Sequence, residues 1–252
     1  MSTLDLIFNH PDGSVFLTGD THGEEGRFFK AAFEGEEKLT SKDYALVAGD
    51  WGYVFKTKGT MDYFEERRIL NALAEKPYTI LFVDGNHENF DRLDRDYGVE
   101  EWHGGKVHRI RPNILHLMRG QVFNICGMTF FTMGGGYSID KATRRDGYSW
   151  WSAEMPSNEE YREATRNLER VCHKVDYIVT HTCPTRAIYE MHRMGDADPH
   201  EAELNGFLDW VYDTTEFRHW FFGHWHTDMA GLTRKFSAVY FDVHCLNSAN
   251  LI

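Results

Sequence analysis

The chain has 252 residues, of which 42% are hydrophobic and 15% aromatic, and its formal net charge is -12. This composition is too apolar for a disordered chain, and charged residues interrupt every apolar run well short of a membrane span. The excess of 39 acidic over 27 basic side chains argues against broad attraction to nucleic acid or anionic lipid. We therefore expect a soluble globular protein that folds as a single domain over residues 1–252.

The lack of a signal-peptide pattern and the spacing of the cysteines predict a cytoplasmic location. The first 14 residues do not combine a basic stretch with the apolar core of a signal peptide. The four cysteines show no CxxC spacing, so neither a zinc ribbon nor a redox pair is indicated. We expect all four to be buried, reduced thiols.

In chain order, five short apolar runs predict strands that each lead directly into a polar loop. They span residues 15–18, 44–48, 79–83, 177–180 and 219–222. A helix is predicted from about residue 62 to residue 74, between the second and third runs. Residues 107–131 alternate apolar and polar side chains, which indicates antiparallel strands, and residues 239–246 show a similar pattern.

Two further helices are predicted in the second half of the chain. The first begins at Ser157, because Glu160 completes a capping box and an apolar stripe follows. The second carries the stripe Leu204, Phe207, Leu208 and Val211. Residues 137–157 predict a long loop that forms a rim over a functional site. Strands that alternate with helices, together with antiparallel stretches, predict a mixed-sheet α/β domain.

Each of the five predicted strands ends in side chains that can bind metal. The blocks are Gly19-Asp20-Thr21-His22-Gly23, Gly49-Asp50, Gly85-Asn86-His87-Glu88, His181 and Gly223-His224-Trp225-His226. Taken singly, most of them are equally compatible with a turn or a core histidine. Ligands gather at the carboxyl ends of strands in α/β sheets, so these loops can meet in space. Oxygen and imidazole ligands without thiolate favour Mn²⁺, with Fe²⁺ or Zn²⁺ as alternatives.

The ordered blocks GDTHG, GD, GNHE, a lone histidine and GHWH resemble the calcineurin-like metallophosphoesterase superfamily, and they extend from residue 19 to residue 226. The resemblance implies a four-layer sandwich of two mixed β-sheets flanked by helices. It implies two divalent metal ions, with a metal-bridging hydroxide as nucleophile, and His87 as general acid. The implied ligands are Asp20, His22 and His226 for one ion, Asn86, His181 and His224 for the other, and Asp50 as the bridge.

One departure from the superfamily pattern concerns the phosphate-binding arginine. The protein-phosphatase branch continues its second block as GDxxDRG, whereas this chain reads Gly49-Asp50-Trp51-Gly52-Tyr53-Val54-Phe55. Arg144, Arg145 and Arg186 are candidates to bind the substrate phosphate in its place, together with Asn86, since a guanidinium fork matches phosphate oxygens. Glu88 could help to orient His87, but we expect it instead to be an acidic residue near the start of the next helix, where the helix dipole favours negative charge.

Three functions follow from these patterns. The leading one is a hydrolase of phosphate esters, acting as a phosphomonoesterase or a phosphodiesterase. A metal-dependent nuclease is the second, and the acidic net charge argues against it. The third is a metal-bound interaction module without turnover, against which the complete ligand set argues. The oligomeric state is not indicated by the sequence.

Overall fold

The structure is a computed structural model that describes residues 10–233 and 235–248. Most of the N-terminal stretch searched for a signal peptide, residues 1–9, lies outside these ranges. Within them, no helix is both long and apolar enough to cross a bilayer. The cytoplasmic location and the single-domain organisation stay predictions of the sequence.

Two mixed sheets form the centre of the fold. The first has the strand order β13-β1-β2-β3-β6-β5-β4 and comprises β1 (Val15–Thr18), β2 (Tyr44–Val47), β3 (Thr79–Phe82), β4 (Val99–Trp102), β5 (Gly105–Arg111), β6 (Ile114–Leu117) and β13 (His244–Leu246). The second has the order β11-β12-β10-β9-β8-β7 and comprises β7 (Gln121–Ile125), β8 (Met128–Met133), β9 (Tyr177–Thr180), β10 (His219–Phe222), β11 (Met229–Leu232) and β12 (Phe236–Ala238).

Helices cover the outer faces of both sheets. They are α1 (Met61–Ala74), α2 (Phe90–Asp96), α3 (Asn158–Arg170), α4 (Thr185–Glu190) and α5 (Ala202–Thr214). The start of α3 confirms the predicted capping box, since the Ser157 side chain accepts from the Glu160 amide and the Glu160 carboxylate accepts from the Ser157 amide at 2.7 Å. This helix therefore begins where its local sequence signal predicts.

Side chains along each strand point alternately to the two faces of its sheet. They form three buried hydrophobic layers, one between the two sheets and one between each sheet and its helices. In β1, Val15 and Leu17 lie between the sheets, whereas Phe16 packs on the side of α1 and α2. In β9, Val179 faces the other sheet and Ile178 packs against α3, α4 and α5. This period of two confirms the four-layer sandwich of two mixed sheets flanked by helices.

Three details of the predicted fold differ. Residues 107–131 contain the antiparallel pairs β5–β6 and β7–β8, but β6 also pairs in parallel with β3, and β8 with β9. Within residues 239–246 the strand covers only His244–Leu246. The expectation of four buried cysteines was wrong for three of them, because Cys183 is buried but Cys126 and Cys245 are half-buried and Cys172 is exposed.

Candidate metal centre

The parallel strands of both sheets end at a common level. In the first sheet, Thr18 pairs with Val47 and Val47 with Phe82, while in the second sheet Thr180 pairs with both Met133 and Phe222. The segments that follow these strand ends carry every residue that the sequence assigned as a metal ligand. The fold therefore gathers those residues at one edge of the sandwich.

Glycines in front of the candidate ligands leave room for those side chains. A Cβ atom at Gly49 would lie 2.0 Å from Nδ1 of His181, and one at Gly85 would lie 2.0 Å from Oδ1 of Asp50. Gly49 also has a φ of 91°, which other residues rarely adopt. The glycines before Asp50 and Asn86 are thus each required by a ligand from a different loop.

Several residues of the same loops have a strained backbone. Four of the seven candidate ligands adopt a positive φ, namely His22 at 46°, Asp50 at 44°, His224 at 67° and His226 at 46°. Such conformations cost free energy in residues other than glycine, and they accumulate at functional sites. The positive φ values indicate that the orientation of these side chains costs some conformational free energy.

One group of ligand atoms is formed by Asp20, His22 and His226. Their ligand atoms lie within 4.8 Å of one another. The Nε2 atoms of His22 and His226 are 2.9 Å apart, and Nε2 of His226 is 3.3 Å from Oδ2 of Asp20. The His224 amide donates to the Asp20 carboxylate at 2.9 Å, which fixes its orientation. These three side chains could hold one cation.

A second group is formed by Asn86, His181 and His224. Oδ1 of Asn86 lies 3.0 Å from Nε2 of His181, and Nδ1 of His224 lies 3.2 Å from the same nitrogen. The other ring nitrogen of His181 is 3.1 Å from the carbonyl oxygen of Ala48. That carbonyl selects the tautomer in which Nδ1 is protonated and Nε2 is free to bind a cation.

Asp50 lies between the two groups. Its Oδ1 is 3.4 Å from Nε2 of His181, and its Oδ2 is 3.9 Å from Nε2 of His22. The side chain is almost fully buried, and the His87 amide donates to Oδ1 at 2.7 Å. Each carboxylate oxygen thus faces a different group, as a bridging ligand requires.

The charges of this cluster are complementary to cations. Burial and the neighbouring charge of Asp50 raise the pKa of Asp20 well above its usual value. Burial raises the pKa of Asp50, but His181, His87 and His22 outweigh it and bring that pKa below the usual value. Burial lowers the pKa of His181 to about 4, so its imidazole is neutral near pH 7. Two buried carboxylates beside a neutral imidazole fit divalent cations, which would relieve the carboxylate repulsion.

Of the three candidate arginines, the structure brings only Arg144 to the site. Its guanidinium nitrogens lie 3.2 and 3.3 Å from the two ring nitrogens of His87, and its Nε donates to Asp140 at 2.6 Å. Arg145 is exposed, with its guanidinium over the ring of Tyr148. Arg186 pairs with two aspartates of α5, so the structure does not support it as a phosphate ligand.

The loop after Asp50 packs aromatic side chains into the core and carries no arginine. Trp51 and Tyr53 are buried in the core below the site, and the Trp51 ring stacks on Phe82 at 4.3 Å. The cation that approaches the site comes instead from the 137–157 loop, as Arg144. The loop therefore lies beside the candidate site, and its role as a rim stays a prediction.

The sequence did not predict the residues that contact the candidate ligands and hold them in place. Nδ2 of Asn86 donates to Oγ of Ser138 at 3.2 Å, and that hydroxyl donates to the buried carboxylate of Glu154 at 2.6 Å. Oε1 of Glu201 lies 3.4 Å from Nε2 of His224. Ser138 lies two residues after the glycine cluster 134–136, which was the available signal, whereas Glu201 lies in no recognisable motif.

Glu88 was assigned the wrong role. It lies before α2, whose N-cap is Asn89, and its side chain is fully buried. Its Oε1 accepts from the amides of Trp51 at 2.8 Å and Gly52 at 3.4 Å. Burial and the charge of Asp50 raise its pKa well above the usual value. Glu88 therefore fixes the loop that carries Asp50 rather than a helix terminus.

Replacing Ser138 with alanine is expected to lower turnover and metal affinity by about 10- to 100-fold, because the Asn86 amide loses the acceptor that orients it. Metal titration and steady-state kinetics would measure both effects. Ser157→Ala is the matched control, since it removes the cap of α3 at a cost of about 1 kcal/mol in folding stability and leaves metal affinity unchanged. Equal metal affinity in the two variants would contradict the role of Ser138.

The paired sheets and the histidine- and aspartate-rich edge define a metallophosphoesterase fold. Residues 13–228 match the family of calcineurin-like phosphoesterases, so the chain belongs to that family and is a metal-dependent enzyme that hydrolyses phosphoesters. Among solved structures, it is similar to a phosphopantetheinyl hydrolase from Mycobacterium tuberculosis, with 15% identity, a TM-score of 0.39, and coverage of 91% of this chain and 90% of that one. No curated protein matches the chain in sequence.

Proposed function

We propose that this chain hydrolyses phosphate esters at a dinuclear metal centre. The observation that supports the proposal is the position of Asp50, whose two oxygens face His181 on one side and His22 on the other. Asp20, His22 and His226 would hold one ion, and Asn86, His181 and His224 the other. We propose Mn²⁺ as the native metal, since the ligand set lacks thiolate, with Fe²⁺ or Zn²⁺ as alternatives.

When bound, two divalent ions supply Lewis acidity that orients the phosphate and lowers the pKa of an attacking water. The chain's own residues would bind the substrate and supply the proton for the leaving group. Asn86 contributes a neutral oxygen, which limits the negative charge beside an anionic substrate. Arg144, which lies against His87, would bind a phosphate oxygen through its guanidinium.

His87 is the proposed general acid. Its side chain is 27% exposed, so it can reach a substrate, and its Nε2 is 3.9 Å from Oδ2 of Asp50. A proton on this imidazole would pass to the leaving oxygen as the phosphorus–oxygen bond breaks. Its amide is already bonded to Asp50, so the acid and the bridging ligand keep a fixed separation.

Metal removal tests the proposal. Chelated protein should not turn over p-nitrophenyl phosphate, its bis-ester or nucleotides, and activity should return when Mn²⁺, Fe²⁺ or Zn²⁺ is restored separately. Elemental analysis of the restored protein should find about two ions per chain. One ion per chain at full activity would contradict the dinuclear centre, and absence of turnover with every metal would favour the interaction module.

A further inference from the structure

Two clefts lead away from the candidate metal centre in different directions. The helix-side cleft lies beside α1, has a volume of about 380 Å³, and is walled by Tyr53, Phe55 and Ile69. The loop-side cleft has a volume of about 420 Å³ and lies between Tyr137 and Trp225. Each volume is in the range of sites that bind small organic groups.

His87 lines both clefts, so they meet at the proposed general acid. His22 lines the helix-side cleft, whereas the loop-side cleft is lined by four of the candidate ligands, Asp50, Asn86, His224 and His226. A phosphate held beside Asp50 would therefore lie in the loop-side cleft, next to the helix-side cleft that His22 and His87 line. A monoester has a single organic substituent and could fill only one of them, whereas the two substituents of a diester could fill both.

The charge of the clefts limits what those substituents can be. Among the described residues that line the helix-side cleft, Lys56 is the single lysine or arginine, against the three carboxylates of Asp62, Glu65 and Glu66. In the described lining of the loop-side cleft, Arg193 is the single arginine or lysine, and it donates to Asp196 at 2.5 Å. Neither wall, among the described residues, offers a row of cations to a chain of phosphates.

Apolar surface is available on both sides. Phe55 and Ile69 contribute it to the helix-side cleft, and Ile139, which is 80% exposed, and Trp225 contribute it to the loop-side cleft. Such surfaces contact aliphatic or aromatic groups favourably, and the acidic rims would also accept an amine.

From these features we infer that the substrate is a small phosphodiester whose two organic groups carry no further negative charge. The inference rests on the proposed function and narrows it. In the reaction, a water oxygen forms a new bond to phosphorus, and the bond from phosphorus to one ester oxygen breaks. That oxygen takes a proton from His87, and the water's protons are released, so the products are one alcohol and one phosphate monoester.

The first test compares esters that share one leaving group. With the Mn²⁺-loaded enzyme, kcat/KM for bis(p-nitrophenyl) phosphate and for ethyl p-nitrophenyl phosphate should exceed that for p-nitrophenyl phosphate by about 100-fold. A single-stranded oligonucleotide, which is a polyanionic diester, should not be cleaved. Faster hydrolysis of the monoester, or cleavage of the oligonucleotide, would overturn the inference while leaving the proposed function standing. If no ester is hydrolysed, the proposed function itself fails.

The second test fills each cleft separately. Ile69→Trp and Ile139→Trp should each lower kcat/KM for the bis-ester by about tenfold, mainly through KM, because each blocks the place of one substituent. Hydrolysis of the monoester should fall in no more than one of the two variants. Val99→Trp, on the exposed strand β4, is the control and should change neither rate. Full diester activity in both cleft variants would overturn the inference.

Discussion

Replacing Asp50 with asparagine is expected to abolish turnover, with a loss of about 10⁴-fold or more, and to empty both metal positions. An amide has one oxygen and no charge, so it cannot bridge two cations that lie on opposite sides of it. The neighbouring groups converge on Asp50 through contacts of 3.4 Å from His181 and 3.9 Å from His22. Steady-state kinetics and elemental analysis of the purified variant would measure the two losses together.

The thermal stability of this variant separates loss of metal from loss of fold. Without metal, Asp50→Asn should still fold cooperatively, because asparagine keeps the size of the side chain and an oxygen that can accept from the His87 amide. With Mn²⁺ added, the parent protein should gain stability and the variant should not. Asp12→Asn, at an exposed position, serves as the control. Retention of both ions and of a tenth of the activity would refute the bridging role.

Replacing His87 with alanine is expected to leave both metal positions filled and to slow hydrolysis according to the leaving group. Alkyl esters should lose about 10²- to 10⁴-fold in kcat, since an alkoxide needs a proton as it leaves. Esters of p-nitrophenol should lose less than about tenfold, because that anion is stable without a proton. A plot of rate against leaving-group pKa for both proteins would measure the difference.

A matched histidine provides the control for this substitution. His103 is exposed, and its Nδ1 lies 2.8 Å from the carbonyl oxygen of Asn124, on the turn between β4 and β5. His103→Ala should reproduce the rates of the parent protein for every ester. If His87→Ala shows the same fractional loss with all leaving groups, His87 positions the substrate and does not donate the proton.

The strands and the positions of the candidate ligands could be predicted from the sequence because both depend on short-range patterns. Buried strands are brief apolar runs, and glycines mark the loops after them, as Gly49 and Gly85 do. The capping box at Ser157 is equally local, since its two partners are three residues apart. The family resemblance then divided the ligands into two groups, and the strand register is consistent with that division.

The parts that could not be predicted depend on contacts between distant residues. Glu201 approaches His224 only because α5 and β10 pack in the same half of the sandwich. The role of Glu88 depends on two amides that lie 36 and 37 residues earlier in the chain. Arg144 and Arg186 carry the same charge, so the sequence does not distinguish them. Tertiary packing places Arg144 against His87 and pairs Arg186 with α5. No periodicity in the sequence encodes such choices.

Because the candidate ligands come from loops of both sheets, any cation they hold connects the two halves of the sandwich. Asp20, Asp50 and Asn86 follow strands of the first sheet, whereas His181 and His224 follow strands of the second. The free energy of binding such an ion is then also free energy of folding, because unfolding separates its ligands. Metal supply in the cell would accordingly set the lifetime of the protein as well as its catalytic rate.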